Sequence, residues 1–289
     1  MKILILGGSG MLGHQLYREF SRDHEVWVTL RRAMGEFSGR GLFGEGRVLA
    51  GVEAMDFASV ERSLRTTQPA VVLNCVGIIK QLKEATDPIP SLTINALLPH
   101  RLARLCGEIG ARLVHFSTDC VFSGRRGGYR ETDVSDAEDL YGRTKYLGEV
   151  GAAPHVLTLR SSIIGRELGT THSLVDWFLS QRGKEVRGFR RAIYTGFTTV
   201  EMARIVRMMI TRQPALGGLW QVASAPIDKY QLLLLLRDAF GVPVEIQPYD
   251  DFVCDRSLDG GRFSAATGYQ APAWRTMIEE MAAADRSGL

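Results

Sequence analysis

Cysteine is scarce and unpatterned in this chain. The four cysteines among 289 residues (Cys75, Cys106, Cys120, Cys254) lie far apart and show no Cys-x-x-Cys spacing, which argues against a zinc ribbon or a dithiol redox motif. Free thiols in a reducing compartment suit them. Blocks of like charge are also missing. No Lys/Arg run exceeds two residues, and the formal net charge is only +3. Neither nucleic acid nor a membrane surface is therefore an expected partner. The longest leucine run, Leu232 to Leu236, is far short of the ~20 apolar residues that cross a bilayer. The chain passes from Met1-Lys2 straight into Ile3–Leu6 without a signal-peptide pattern, so a cytoplasmic location is expected. Repeats and low-complexity segments are absent. With 45% hydrophobic and 23% charged residues, the chain has the composition of a folded globular protein.

The N-terminus carries the first positive signal. Ile3–Leu6 reads as a strand buried on both faces, as in a parallel sheet. Gly7-Gly8-Ser9-Gly10-Met11-Leu12-Gly13 follows, then a helical pattern from Met11 to about Arg22. Strand, glycine turn and helix are the context in which such glycines hold a dinucleotide: backbone comes close to a pyrophosphate, and the helix start offers unpaired N–H groups to its charge. Two registers fit, Gly8/Gly10/Gly13 and Gly7/Gly10/Gly13. A second strand, Glu25–Leu30, runs into Arg31-Arg32, where an NAD site would place an acidic residue. A cationic fork there suits a 2′-phosphate, so NADP(H) is expected in preference to NAD(H). The glycine-rich stretch 33–46 reads as a loop with one short helix.

Further β-α units follow. They comprise a short strand at Arg47–Leu49, a helix from Ala58, a strand at Ala70–Leu73, a helix over Thr93–Ile109 bent or begun at Pro99, and a strand at Arg112–Phe116. Residues 78–92 read as an irregular loop. Asp56 and Phe57 would sit near an adenine, or act as a helix cap and a core aromatic. Cys75, Val76 and Gly77 follow a strand end, where a glycine lets backbone approach a cofactor. The expected class is α/β, a Rossmann-type doubly wound parallel sheet over residues 1–160, with the chain returning to it near 190–212. Residues 161–289 are expected to form a smaller substrate-binding part.

Ser117-Thr118-Asp119 closes the fifth strand, and Tyr141-Gly142-Arg143-Thr144-Lys145 follows a turn-rich connection. Four residues apart on a helix, Tyr141 and Lys145 share a face. An ammonium beside a phenol favours phenolate, so this tyrosine is expected to pass a proton near neutral pH. Thr118, at the strand's carboxyl end, could hydrogen-bond the same substrate oxygen. Asn95 could cap its helix or order a water beside Lys145. In the second half, Arg256 is the best candidate for a pyrophosphate; Asp119, after the fifth strand, could orient substrate or simply cap the chain there. His172 could face a sugar or serve as a cap, Trp177 and Phe178 read as core, and Arg160 reads as structural.

Taken together, these residues resemble the extended short-chain dehydrogenase/reductase family, and within it the dTDP-4-dehydrorhamnose reductases and related nucleotide-sugar 4-ketoreductases. The resemblance rests on Gly7–Gly13, Asn95, Ser117–Gly124 with Tyr129 and Glu131, and Tyr141 with Lys145. It continues more loosely through Arg160-Ser161-Ser162, Gly196-Phe197-Thr198-Thr199 and Arg256-Ser257-Leu258. It implies Tyr141 as general acid, Thr118 as second donor to the carbonyl, Lys145 on the nicotinamide ribose, and Asn95 completing a tetrad. It also implies a nucleotide-linked 4-keto-6-deoxy sugar as substrate, with Ser162 beside it, no metal in the chemistry, and pairing of two copies through the helices carrying Asn95 and Tyr141. The chain departs from the rhamnose branch at Cys75–Lys80 and at Gly196–Thr199, so a UDP-linked N-acetylated 4-keto sugar fits equally.

Two other functions fit the same residues. An epimerase would retain its cofactor, whereas a dehydratase is disfavoured because Thr118-Asp119-Cys120 lacks the Asp-Glu pair that follows the threonine there. A non-catalytic NADP-binding regulatory subunit would keep the fold without needing Thr118, Tyr141, Lys145 and Asn95 together.

Overall fold

The computed structural model describes residues 1–32, 42–43 and 47–286. The expected loop at 33–46 lies outside the described residues except for 42 and 43. Two compact units emerge. Unit 1 comprises Met1–Ser117, Asp139–Leu159 and Ala203–Leu219, and unit 2 comprises Thr118–Glu138, Arg160–Met202 and Trp220–Leu289. Residues 118–138, expected with the first domain, thus cluster with the second.

Unit 1 is built on a sheet whose strands are β1 (Lys2–Leu6), β2 (Glu25–Leu30), β3 (Val48–Ala50), β4 (Val71–Asn74), β5 (Arg112–Ser117) and β6 (Val156–Arg160). With the later strand Gly218–Gln221 the order is Gly218–Gln221, β6, β5, β4, β1, β2, β3. The pairs β1–β2, β1–β4, β2–β3 and β4–β5 are parallel. The chain reverses direction across the sheet between β1 and β4, the crevice where such folds bind ligands. Ile3, Leu4 and Ile5 are wholly buried, as a strand covered on both faces requires.

Helices α1 (Met11–Phe20), α2 (Phe57–Thr67) and α4 (Leu98–Ile109) are connections between the strands. Leu64, Leu102 and Cys106 join Leu4, Val72 and Leu113 in one buried apolar cluster. Residues 78–92, expected to be irregular, contain a 3-10 turn at Lys83–Thr86 and a short helix α3 (Pro88–Ser91). The cause is local. The Asp87 carboxylate caps the Ile89 N–H at 3.0 Å, and Pro88 enters at the helix start, where its missing N–H is no loss. A π-helical turn, Leu92–Leu97, then leads into α4. The later segment of unit 1 is fastened by Arg207, whose guanidinium binds Glu19 Oε1 at 2.7 Å, the Glu19 carbonyl at 2.6 Å and Asp23 Oδ2 at 2.7 Å.

Unit 2 consists of short ladders and helices. The strands β7 (Ile163–Ile164) and β10 (Phe197–Thr198) pair in parallel, as do β8 (Glu185–Phe189) and β13 (Glu245–Tyr249). Strand β9 (Ala192–Tyr194) lies between β12 (Ile227–Asp228) and β14 (Cys254–Asp255), β11 being Gly218–Gln221. The helices are α6 (Leu174–Leu179), α8 (Lys229–Phe240), α9 (Gly261–Thr267) and α10 (Trp274–Arg286), and α7 (Thr199–Thr211) runs on into unit 1. Its inner cluster is Val121, Phe122, Tyr129 and Leu258. The Phe122 and Tyr129 rings stack at 4.1 Å, and the buried Arg160 guanidinium stands over Phe122 at 5.0 Å. Phe178 is buried as expected, whereas Trp177 is 39% exposed. Among the described residues, no helix is long and apolar enough to cross a membrane.

Candidate active site

The glycine turn in unit 1 is tightly built. Gly7 has φ +79°, and its N–H donates to Thr29 Oγ1 at 3.1 Å. The Gly10 N–H donates to the Gly7 carbonyl at 3.0 Å, and the Gly8 N–H to the Thr29 carbonyl at 3.0 Å. A Cβ on Gly13 would lie 2.1 Å from the Gly7 carbonyl oxygen, and one on Gly8 would lie 2.8 Å from Val28 Cβ. Gly7, Gly10 and Gly13 therefore form the spacing that touches itself, and Gly8 is fixed by packing. Helix α1 starts at Gly10 without a side-chain cap, so Ser9, Met11 and Leu12 lie at a helix start whose N–H groups are open to an anion. These features fit a pyrophosphate.

The neighbouring strand ends bring up more backbone. The Cys75 N–H donates to the Leu6 carbonyl at 3.1 Å. A Cβ on Gly7 would sit 3.1 Å from Val76 Cγ2 and 3.4 Å from the Cys75 carbonyl, so Cys75 and Val76 lie over the turn. Burial pushes the Cys75 thiol up, leaving it a small neutral side chain rather than a nucleophile. Arg31 and Arg32 are exposed at the end of β2. Asp56 caps α2, accepting from the Ala58 N–H at 3.1 Å, and Phe57 packs against the apolar cluster with Arg101 over its ring at 5.3 Å.

Asn95 sits in the π-helical turn and is 1% exposed. Its Oδ1 accepts from the Ile78 N–H at 2.9 Å and its Nδ2 donates to the Ile78 carbonyl at 3.0 Å. The amide thus holds the peptide just after Gly77 from both sides. A water-ordering role beside Lys145 would have to compete with these two bonds. Nδ2 also reaches Thr144 Oγ1 at 3.5 Å, the residue before Lys145.

Tyr141 and Lys145 lie on α5 (Leu140–Leu147). Asp139 starts that helix: its Oδ1 accepts from the Gly142 N–H at 2.7 Å, while its Oδ2 pairs with Lys80 at 2.6 Å. Lys145 is 6% exposed and its Nζ donates to the Phe116 carbonyl at 2.6 Å. Burial lowers its pKa to about 8, against the pull of Glu149, which raises it. Half-buried Tyr141 is one turn away on the same helix.

Thr118, Asp119, Ser162, His172 and Arg256 belong to unit 2. Thr118 Oγ1 accepts from the Cys120 N–H and donates to Asp119 Oδ1, both at 3.1 Å. Arg256 Nε donates to the Phe122 carbonyl at 2.9 Å. The Ser162 carbonyl accepts from the Phe197 N–H at 2.9 Å. His172 is exposed, its backbone N–H donating to Glu167 at 2.7 Å. Glu131, part of the resemblance, accepts from the Gln221 N–H at 3.0 Å.

Sequence reasoning missed Lys229. Its Nζ stands 4.4 Å from the centre of the Tyr194 ring. Burial lowers its pKa, and the Asp119 charge opposes that. A signal was present: a lysine immediately after an Asp N-cap, at the helix end where the dipole disfavours a cation. Among the described residues, no hydrogen bond or ion pair reaches this ammonium.

The chain is 31% identical over 257 residues to "Methionine adenosyltransferase 2 subunit beta" of Bos taurus, covering 84% of this chain and 73% of that one. It is 27% identical over 202 residues to "dTDP-4-dehydrorhamnose reductase" of Mycobacterium tuberculosis, covering 63% and 60%. A crystal structure described as a hypothetical dTDP-4-dehydrorhamnose reductase from Sulfolobus tokodaii superposes with a TM-score of 0.78 at 24% identity, over 95% of this chain and 98% of that one. The family described as "RmlD substrate binding domain" matches residues 1–220, and the chain belongs to that family.

Proposed function

We propose that this chain is an NADPH-dependent reductase acting on the 4-keto group of a nucleotide-linked 4-keto-6-deoxy sugar. The observation that carries the reading is the buried Lys145 ammonium, hydrogen-bonded at the end of β5 and one helical turn from Tyr141. With a pKa of about 8, it is mostly charged at neutral pH. Its charge stabilises the phenolate that Tyr141 becomes on giving its proton to the substrate oxygen.

The bound cofactor would supply the hydride, and the chain's own residues do the rest. Gly7, Ser9, Gly10, Met11, Leu12 and Gly13 hold the pyrophosphate, and Arg31 with Arg32 takes a 2′-phosphate. Asp56 and Phe57 lie on the adenine side. Cys75, Val76 and Gly77 supply backbone beside the cofactor, which Asn95 steadies by clamping the peptide after Gly77. Thr118 is the second donor to the carbonyl, so its proton must turn away from Asp119 when substrate arrives. Asp119, Ser162, His172 and Arg256 are assigned to the sugar nucleotide.

A second reading has its own support. The Bos taurus relative is named as a subunit of another enzyme, so this chain could serve as a binding subunit that keeps the dinucleotide site. One experiment separates the two. The protein and NADPH are incubated with dTDP-, UDP- and GDP-linked 4-keto-6-deoxy sugars, and products are identified by mass and NMR. Stoichiometric oxidation of NADPH with a reduced sugar supports the reductase. A converted sugar without net NADPH consumption indicates an epimerase, and tight NADPH binding without any product favours the subunit.

A further inference from the structure

We propose that Glu149 is a positioning residue: its carboxylate, tethered by Ser117 at the end of β5, sustains the Lys145 ammonium through its charge rather than by direct contact. The inference rests on the reading of Lys145 as the cation that supports proton transfer from Tyr141.

Two adjacent residues of one strand end carry the arrangement. The Phe116 carbonyl accepts from Lys145 Nζ at 2.6 Å, and the next side chain, Ser117 Oγ, donates to Glu149 Oε1 at 2.5 Å. Lys145 and Glu149 are four residues apart, so the helix and its exit deliver a cation and an anion to neighbouring atoms of β5. Gly148 makes this exit possible. Its N–H closes the helix on the Thr144 and Lys145 carbonyls at 3.1 and 3.2 Å. A Cβ there would lie 2.0 Å from the Asn95 carbonyl oxygen. Only glycine lets the chain pass under the π-helical turn and bring Glu149 to Ser117.

The surrounding charges leave the task to Glu149. On β5, His115 is buried, with Nδ1 beside Asn74 Nδ2 at 3.1 Å, and burial holds it well below its ordinary pKa, so it is neutral. On α4, His100 bonds the Leu147 carbonyl at 2.7 Å and offers no negative charge. On α5 itself Tyr141, Arg143 and Tyr146 add no carboxylate. Among the described residues, Glu149 is the carboxylate whose field opposes the cost of burying the Lys145 charge. A buried ammonium held only by a neutral carbonyl would shed its proton more readily.

The test is a direct titration of Lys145 in the full chain, following its ¹³Cε signal by NMR and assigning it by its loss in Lys145→Met. Glu149→Gln keeps an acceptor for Ser117 and removes the charge. Its Lys145 midpoint should fall by at least about half a unit, and the alkaline limb of NADPH-dependent turnover should move the same way. Ser117→Ala keeps the carboxylate and cuts the tether, so a smaller fall in the same direction is expected. An unchanged midpoint in both variants would overturn the proposal. Should Glu149→Gln not fold, the Ser117→Ala titration decides alone. If the midpoint falls but no sugar is ever reduced, the reductase reading fails while the coupling stands.

Discussion

The Lys145 ammonium donates to the carbonyl oxygen of Phe116 across 2.6 Å, in a place where almost no water reaches it. A folded pKa of about 8 against an ordinary 10.5 makes this a statement about stability. Unfolded chains hold the proton up to higher pH than the folded one. The penalty is therefore complete below about pH 8 and fades as pH rises towards 10.5. It is of the order of 3 kcal/mol, from about 1.4 kcal/mol per pKa unit. Lys145→Met should lose turnover yet resist urea better than the native protein at pH 7. Its advantage should shrink between pH 8 and 10.5. A variant less stable at pH 7 would contradict the assignment.

The glycine turn makes a steric prediction. Gly13→Ala sets a methyl 2.1 Å from the Gly7 carbonyl oxygen, and backbone on both sides must move. Overpacking of this kind costs about 1–3 kcal/mol. NADPH affinity should fall at least about tenfold, read by fluorescence titration. Gly51→Ala, where no atom lies within 4 Å of the added methyl although φ is +74°, should leave NADPH binding unchanged.

On the proposed reading, Arg31 and Arg32 hold the 2′-phosphate of NADPH. Replacing both with Ala should weaken NADPH binding by about tenfold or more, the scale of losing charge-assisted bonds to phosphate, and leave NADH binding nearly the same. Equal losses for the two cofactors would remove the 2′-phosphate assignment.

Thr118→Val removes the hydroxyl that bonds Cys120 and Asp119 with little change in shape. Turnover should drop about 10²–10³-fold, as for loss of one donor to a developing oxyanion, with NADPH affinity retained. Thr118→Ser should recover most of the activity.

Much of the fold was legible because it is written locally. Strand Glu25–Leu30 and helix Lys229–Phe240 have the bounds their apolar patterns and caps indicate. The pairing of Glu185–Phe189 with Glu245–Tyr249 was not legible: both strands are short and partly exposed, and their partners lie some 60 residues apart in sequence. The helix face bearing Tyr141 and Lys145 could be read from spacing alone. What Asn95 holds could not, because its partner atoms are the Ile78 backbone, and main-chain atoms leave no mark in a sequence. Lys229 is not legible either, because a lysine on an amphipathic helix reads as solvated, whereas here its ammonium stands over the Tyr194 ring.

In the proposed reaction Tyr141 delivers the proton while hydride reaches the carbon. The most direct test is single-turnover reduction by Tyr141→Phe, with a sugar nucleotide the native protein reduces and NADPH already bound. Hydride transfer should slow about 10²–10⁴-fold, the usual contribution of a general acid, with NADPH affinity almost unchanged. Hydride transfer at the native rate in that variant would contradict it.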